Sequence, residues 1–219
     1  MRLYIALVSC LLLAAGFSST SNAAEKHLIY MQGCCSVKQT NGPVAKGYQT
    51  IAQKLRDDGF DVFFELRTSD ETDSDAQVQA YATKVAEYVQ GLLLKGTAPE
   101  DITVSGFSLG SVTTMVASGL IANQKVNYVL LAGCPEHPHL SITIDYTKVK
   151  GRVLSIVNNK DRIFGSCAGH FPNTATFKEI TLDSGEGHKL FRLTDESSLK
   201  LWKEPLENWA MGQSVAVQQ

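Results

Sequence analysis

The sequence predicts an α/β fold, with about six mostly parallel strands and helices on both faces of the sheet. Three observations carry this expectation. Short, nearly unbroken apolar runs alternate with longer stretches whose apolar residues recur at helical spacing, the pattern of a parallel sheet covered on both sides. The chain has 219 residues, 44% of them hydrophobic, enough for one domain with a substantial core. Between one apolar run and one helical stretch stands Gly106-Phe107-Ser108-Leu109-Gly110, a Gly-x-Ser-x-Gly turn of the kind that lifts a serine off the end of a strand.

The first 23 residues stand apart from this pattern. Arg2, an apolar run over 3–17, polar residues over 18–22 and the small pair Ala23-Ala24 have the layout of a secretory leader cleaved after Ala23 or Ala24. The run is too short to span a bilayer. Leu7-Val8-Ser9-Cys10 comes too early in it to be a lipid-attachment box, so no stable membrane anchor is expected. Residues 24–219 read as one domain, without repeats, low-complexity segments or a dividing linker.

Along the mature chain the elements follow in order. Residues 27–31 read as a short buried strand. Val44, Tyr48, Ile51 and Leu55 mark a helix that Gly59 stops. A second strand is expected over 61–66, followed by an acidic loop over 68–75. Val78, Tyr81, Val85, Tyr88 and Leu92 then mark a long helix closed by Lys95-Gly96. A strand over 102–105 enters the serine turn, and a helix over 111–123 leaves it. Strands over 126–132, 153–157 and 176–182 complete the sheet. A last helix over 197–210 turns Leu199, Trp202, Leu206 and Trp209 inward, and Pro205 is expected to kink or interrupt it.

Composition narrows the function. A net charge of −2 and a pI near 6.2 leave no basic footprint for nucleic acid. Past Cys10 the cysteines are Cys34, Cys35, Cys134 and Cys167, an even number that suits disulfides in an oxidising compartment. Cys134 and Cys167 follow strands that should be sheet neighbours, so they are expected to pair with each other or with Cys34 and Cys35. An adjacent Cys34–Cys35 bridge would be strained. No paired Cys-x-x-Cys and no phosphate-cradling loop is present, so neither a metal nor a cofactor is expected.

A serine at such a turn becomes a nucleophile only with a base in reach and an acid to orient that base. In a parallel sheet these belong in loops at the carboxyl ends of strands. Asp161 closes the loop after the 153–157 strand. His188, in Gly185-Glu186-Gly187-His188, follows the last strand, with glycines that should let its backbone approach the serine turn. Asp183 is the rival acid, although it follows the wrong strand. His137, His139 and His170 are the remaining histidines of the mature chain outside the first strand, and His170 is the stronger rival base.

With Gly106-Phe107-Ser108-Leu109-Gly110, Gly187-His188 and the closing Leu206-Glu207-Asn208-Trp209, the chain over 26–210 resembles a small, lid-poor α/β-hydrolase. The order serine, acid, histidine is the one such enzymes use. The resemblance implies acyl transfer, with Ser108 attacking, His188 as base and Asp161 orienting it. It also implies oxyanion donors on the backbone N–H of Leu109 and Cys34. Gln32-Gly33 stands where the family commonly has His-Gly, and two strands that precede it in larger relatives are absent. Gln32, Phe107 and Phe164 are expected near an acyl pocket. The implied activity is hydrolysis of carboxylic esters or thioesters, on small or polymer-borne substrates, by an exported enzyme. An amidase or peptidase would use the same triad. A non-catalytic binding module of the cell envelope is the competing class, and it would not require all three residues.

Overall fold

A computed structural model describes residues 25–34, 37–71, 74–135 and 144–215; the expected leader, Cys35, His137 and His139 lie outside them. Its strands are β1 (His27–Met31), β2 (Asp61–Phe63), β3 (Ile102–Phe107), β4 (Asn127–Leu131), β5 (Cys134–Pro135), β6 (Arg152–Asn158), β7 (Phe164–Gly165) and β8 (Thr176–Leu182). Six of them form one parallel sheet in the order β2-β1-β3-β4-β6-β8. Every residue of β1, β3 and β4 is buried, which is possible only under cover on both faces. On β8 exposure alternates instead, with Ile180 and Leu182 buried while Lys178 and Thr181 face solvent, as suits a strand at the sheet's edge.

The helices are α1 (Pro43–Asp57), α2 (Asp75–Leu94), α3 (Leu109–Ile121) and α4 (Glu196–Ala210). From β1 the chain steps outward through α1 to β2, then crosses back through α2 to β3 on the other side of β1. Crossovers keep one hand, so this reversal of direction puts α1 on the face opposite α2 and α3. Helices α2 and α3 pack together. On the other face Lys203 of α4 reaches Asp58 at the end of α1 (2.6 Å) and Glu207 one turn on (2.7 Å). The reversal point lies between β1 and β3, and a crevice at the carboxyl ends of two such strands is where ligands bind in open α/β sheets. The segments that meet there are Gln32-Gly33-Cys34 and the serine turn.

Some elements depart from expectation for identifiable reasons. The second strand stops at Phe63, paired with Ile29, rather than continuing to Leu66. Beyond that point the side-chain amide of Gln32 takes over. It donates to the Arg67 carbonyl (2.6 Å) and accepts from the Arg67 N–H (3.0 Å), pairing like a strand residue. Pro205 does not interrupt α4, which continues to Ala210. Leu199 and Leu206 are buried and contribute roughly 1.5–3 kcal/mol each. With Trp202 and Trp209 also buried, these side chains outweigh the ~3 kcal/mol cost of a proline inside a helix. Helix α2 starts at Asp75 on a capping box, Ser74 and Gln77 each bonding the other's backbone N–H. Among the described residues no helix is long and apolar enough to cross a membrane.

Candidate active site

Ser108 sits between β3 and α3 with φ +57° and ψ −117°, a conformation that costs a non-glycine residue ~1–3 kcal/mol unless its surroundings impose it. They do. The Ser108 N–H donates to the Leu131 carbonyl (3.0 Å), and the Ser111 hydroxyl bonds the carbonyls of Gly106 and Leu131, both at 2.8 Å. A Cβ on Gly106 would stand 2.1 Å from the Gly110 carbonyl oxygen, and one on Gly110 would stand 2.5 Å from that of Met31. No side chain fits at either position. The turn therefore holds its shape only with glycines where the sequence has them.

Asp161 follows β6, and its side chain is fully buried. Its Oδ2 accepts from His188 Nδ1 at 2.6 Å, while its Oδ1 accepts from the backbone N–H of Ile163 (2.8 Å) and Phe164 (3.1 Å). Three donors offset the desolvation of one carboxylate. With Nδ1 donating, His188 Nε2 is left as the acceptor, and the Ser108 Oγ lies 2.9 Å from it. Residues 108, 161 and 188 thus form one hydrogen-bonded line. Ser108 is 8% exposed and the His188 side chain 22%, so solvent reaches one end of the line and not the other.

His188 lies in a 3₁₀ helix, Gly187–Arg192, rather than in the open loop expected. Its glycine acts differently from expectation too. A Cβ on Gly187 (φ +56°) would stand 3.0 Å from the Lys160 carbonyl, so the close approach is to the acid loop rather than the serine turn; Gly185 has open space around it. Phe191 of the same 3₁₀ helix is buried against Phe107 (5.9 Å between centroids) and Trp202 (6.4 Å). That packing ties the imidazole to β3 and α4.

Gly33 brings the chain after β1 directly onto Ser108: a Cβ there would stand 3.1 Å from Ser108 Cβ and 3.2 Å from the Phe107 ring. Leu109 is the first residue of α3, where a backbone N–H has no acceptor within its own helix. Gln32, expected at a pocket, is 2% exposed and commits its amide to Arg67, so it is a strut beneath the site. The Arg67 guanidinium covers the Tyr81 ring, 3.6 Å from the centroid, and burial pulls its pKa down. Phe107 and Phe164 are buried with their rings against His188, at 4.9 and 5.3 Å. Asp183 is not at the site; its side chain is 76% exposed and 3.9 Å from Lys160 Nζ. His170 is exposed and stacks on Tyr146 (4.7 Å).

Cys134 and Cys167 are joined by a disulfide, Cα atoms 5.2 Å apart, which settles one of the open pairings. Cys34 is disulfide-bonded as well. The Cys134–Cys167 bridge spans a two-stranded antiparallel ribbon, β5 with β7, in which Pro135 pairs with Phe164. The sequence gives no sign of this ribbon, since strands of two residues carry no period. Among the described residues no cluster of His, Cys, Asp and Glu could hold a metal.

No family model and no curated protein matches the sequence. Solved structures do match in three dimensions. SOBER1 of Arabidopsis thaliana superposes with TM-score 0.52 at 16% identity, over 86% of this chain and 99% of that one. A phospholipase/carboxylesterase from Dyadobacter fermentans gives 0.54 at 15%, over 84% and 91%. Est1E from Butyrivibrio proteoclasticus, with ferulic acid bound, gives 0.57 at 14%, over 89% and 92%. This is an α/β-hydrolase fold. Among the described residues its main sheet holds six strands, the number expected. Ser108 after β3, Asp161 after β6 and His188 after β8 lie at the rim of the sheet where their strands end.

Proposed function

We propose that the protein is an exported serine hydrolase acting on carboxylic esters or thioesters. The observation that carries the reading is the line Asp161–His188–Ser108, with links of 2.6 and 2.9 Å, on a strained elbow at the mouth of the sheet. Ser108 Oγ attacks the ester carbonyl as its proton passes to His188 Nε2, and Asp161 stabilises the imidazolium that results. The oxyanion rests on the backbone N–H of Leu109 and of Cys34, each such donor being worth ~3 kcal/mol in the transition state. His188 then returns the proton to the leaving alcohol, and water repeats the sequence to free the acid.

The fold neighbours support the ester reading, since one bears the name carboxylesterase and another holds ferulic acid. The sequence between the strands over 126–132 and 153–157 holds no insertion long enough for a large lid, which favours an open site and small or polymer-borne esters. A disulfide together with the leader-like segment over 1–23 supports export. The test is labelling with a fluorophosphonate probe alongside turnover of p-nitrophenyl esters of increasing acyl length. Labelling that disappears in Ser108→Ala, with turnover lost on the order of 10⁴-fold or more, is the expected result. Folded wild-type protein that neither labels nor turns over ester would instead favour the binding module.

A further inference from the structure

We propose that Phe164 is a positioning residue for His188, its ring face stabilising the imidazolium that exists only while the Ser108 proton is held on Nε2. This rests on the triad reading above. The Phe164 ring lies 5.3 Å from the imidazole with planes 28° apart, so it presents its face rather than its edge. A cation within about 6 Å of a ring centroid is attracted to that negative face; a neutral imidazole gains far less. The attraction therefore grows as Ser108 Oγ bonds to carbon and its proton moves to Nε2, and it falls again when the proton passes to the leaving alkoxide. An interaction stronger in the charged state than in the resting one raises kcat and leaves substrate binding alone.

The ring is held in that position by four separate constraints. The Phe164 N–H donates to Asp161 Oδ1 (3.1 Å), so the carboxylate that orients the imidazole orients the ring as well. Phe164 pairs with Pro135 across the β5–β7 ribbon, and the Cys134–Cys167 disulfide closes that ribbon. Beyond it, the Glu179 carboxylate of β8 accepts from the Cys167 N–H (2.7 Å) and the Ser166 hydroxyl (2.5 Å). Of the neighbouring lysines, Lys160 faces Asp183 and Lys189 faces Glu186. The charged partner of His188 in these contacts is Asp161.

Fluorinated phenylalanines at position 164 separate this role from simple space-filling, because they drain the ring face of negative charge with little change in size. In p-nitrophenyl acetate hydrolysis, kcat should fall stepwise through the mono-, di- and trifluoro variants, by roughly 3- to 30-fold in all, while KM stays within about two-fold. Phe164→Trp should retain activity, and Phe164→Leu should fall at least as far as the trifluoro ring. Thermal melting accompanies each variant, and the fluorinated series stays readable even if Phe164→Leu does not fold. Equal kcat across the fluorinated series overturns the proposal. That outcome is distinct from failure of the triad reading, in which the wild-type protein itself would not react with the fluorophosphonate.

Discussion

Replacing Asp161 by Asn removes a charge from the site with almost no change of shape, and the surrounding hydrogen bonds dictate how the new amide must orient. The Asn carbonyl oxygen still accepts from Ile163 and Phe164, as Asp161 Oδ1 does at 2.8 and 3.1 Å. Its amide nitrogen then faces His188 Nδ1 across the 2.6 Å gap that Oδ2 spanned. A donor there forces Nδ1 to accept, so the ring proton moves to Nε2 and blocks transfer from Ser108. Turnover should fall ~10⁴-fold, or about 5.5 kcal/mol at 1.36 kcal/mol per decade. KM should move by less than about three-fold. Two of the three bonds survive, so the folding free energy should drop by no more than about 2 kcal/mol. Ester kinetics and urea unfolding on the same preparation measure both quantities. Asp183→Asn is the control and should match wild type in both. An Asp161→Asn enzyme that keeps a tenth of its turnover, or an Asp183→Asn enzyme that loses as much, refutes the assignment of the acid.

Gly106→Ala should yield no stable protein or lose more than ~4 kcal/mol, since its Cβ would lie 2.1 Å from a main-chain oxygen; a soluble variant melting within a few degrees of wild type contradicts the clamped elbow. Asp195 caps α4, and the Ser198 N–H it accepts holds its carboxyl below the usual carboxylate range. A depressed folded pKa stabilises above the unfolded value of about 3.9 and ceases to as pH falls through the folded one. Asp195→Ala should thus melt lower than wild type at pH 7, with the gap narrowing below about pH 4; a gap independent of pH from 3 to 7 counts against it. Removing the Cys134–Cys167 bridge in a double Ser variant should lower kcat several-fold while the far-UV circular dichroism of the sheet and helices is retained. Undiminished turnover would show that the ribbon holds the acid loop unaided.

The line of Ser108, His188 and Asp161 is legible in the sequence because each member lies in the segment just past a strand, and a parallel sheet gathers its strand ends on one rim. The central strands can be read from their unbroken apolar runs because they are covered on both faces. Features that escape such reading depend on partners in space. The strand expected over 61–66 carries Phe64 and Leu66 past Phe63, yet its pairing with β1 ends at Ile29↔Phe63, and further along it is the Gln32 side-chain amide that meets the Arg67 backbone. Pro205 carries a local preference that buried Trp202 and Trp209 override. Gly187 reads as a place of close approach, but only the folded chain shows that its neighbour is Lys160. Ser74 and Gln77 carry a readable capping signature, Ser-x-x-Gln, that marks the start of α2.

Position in the sheet also fixes when the site comes into being. β8 is an edge strand, paired in the sheet with β6 from Arg152↔Thr176 to Asn158↔Leu182, and His188 rides on the segment just beyond it. A chain in which the other five strands of the sheet had formed, elbow included, would still lack its imidazole until β8 docked. On the triad reading such a species would be inert. Regain of hydrolysis is therefore a clock for the final docking event, and it should lag behind any signal that reports burial of the interior.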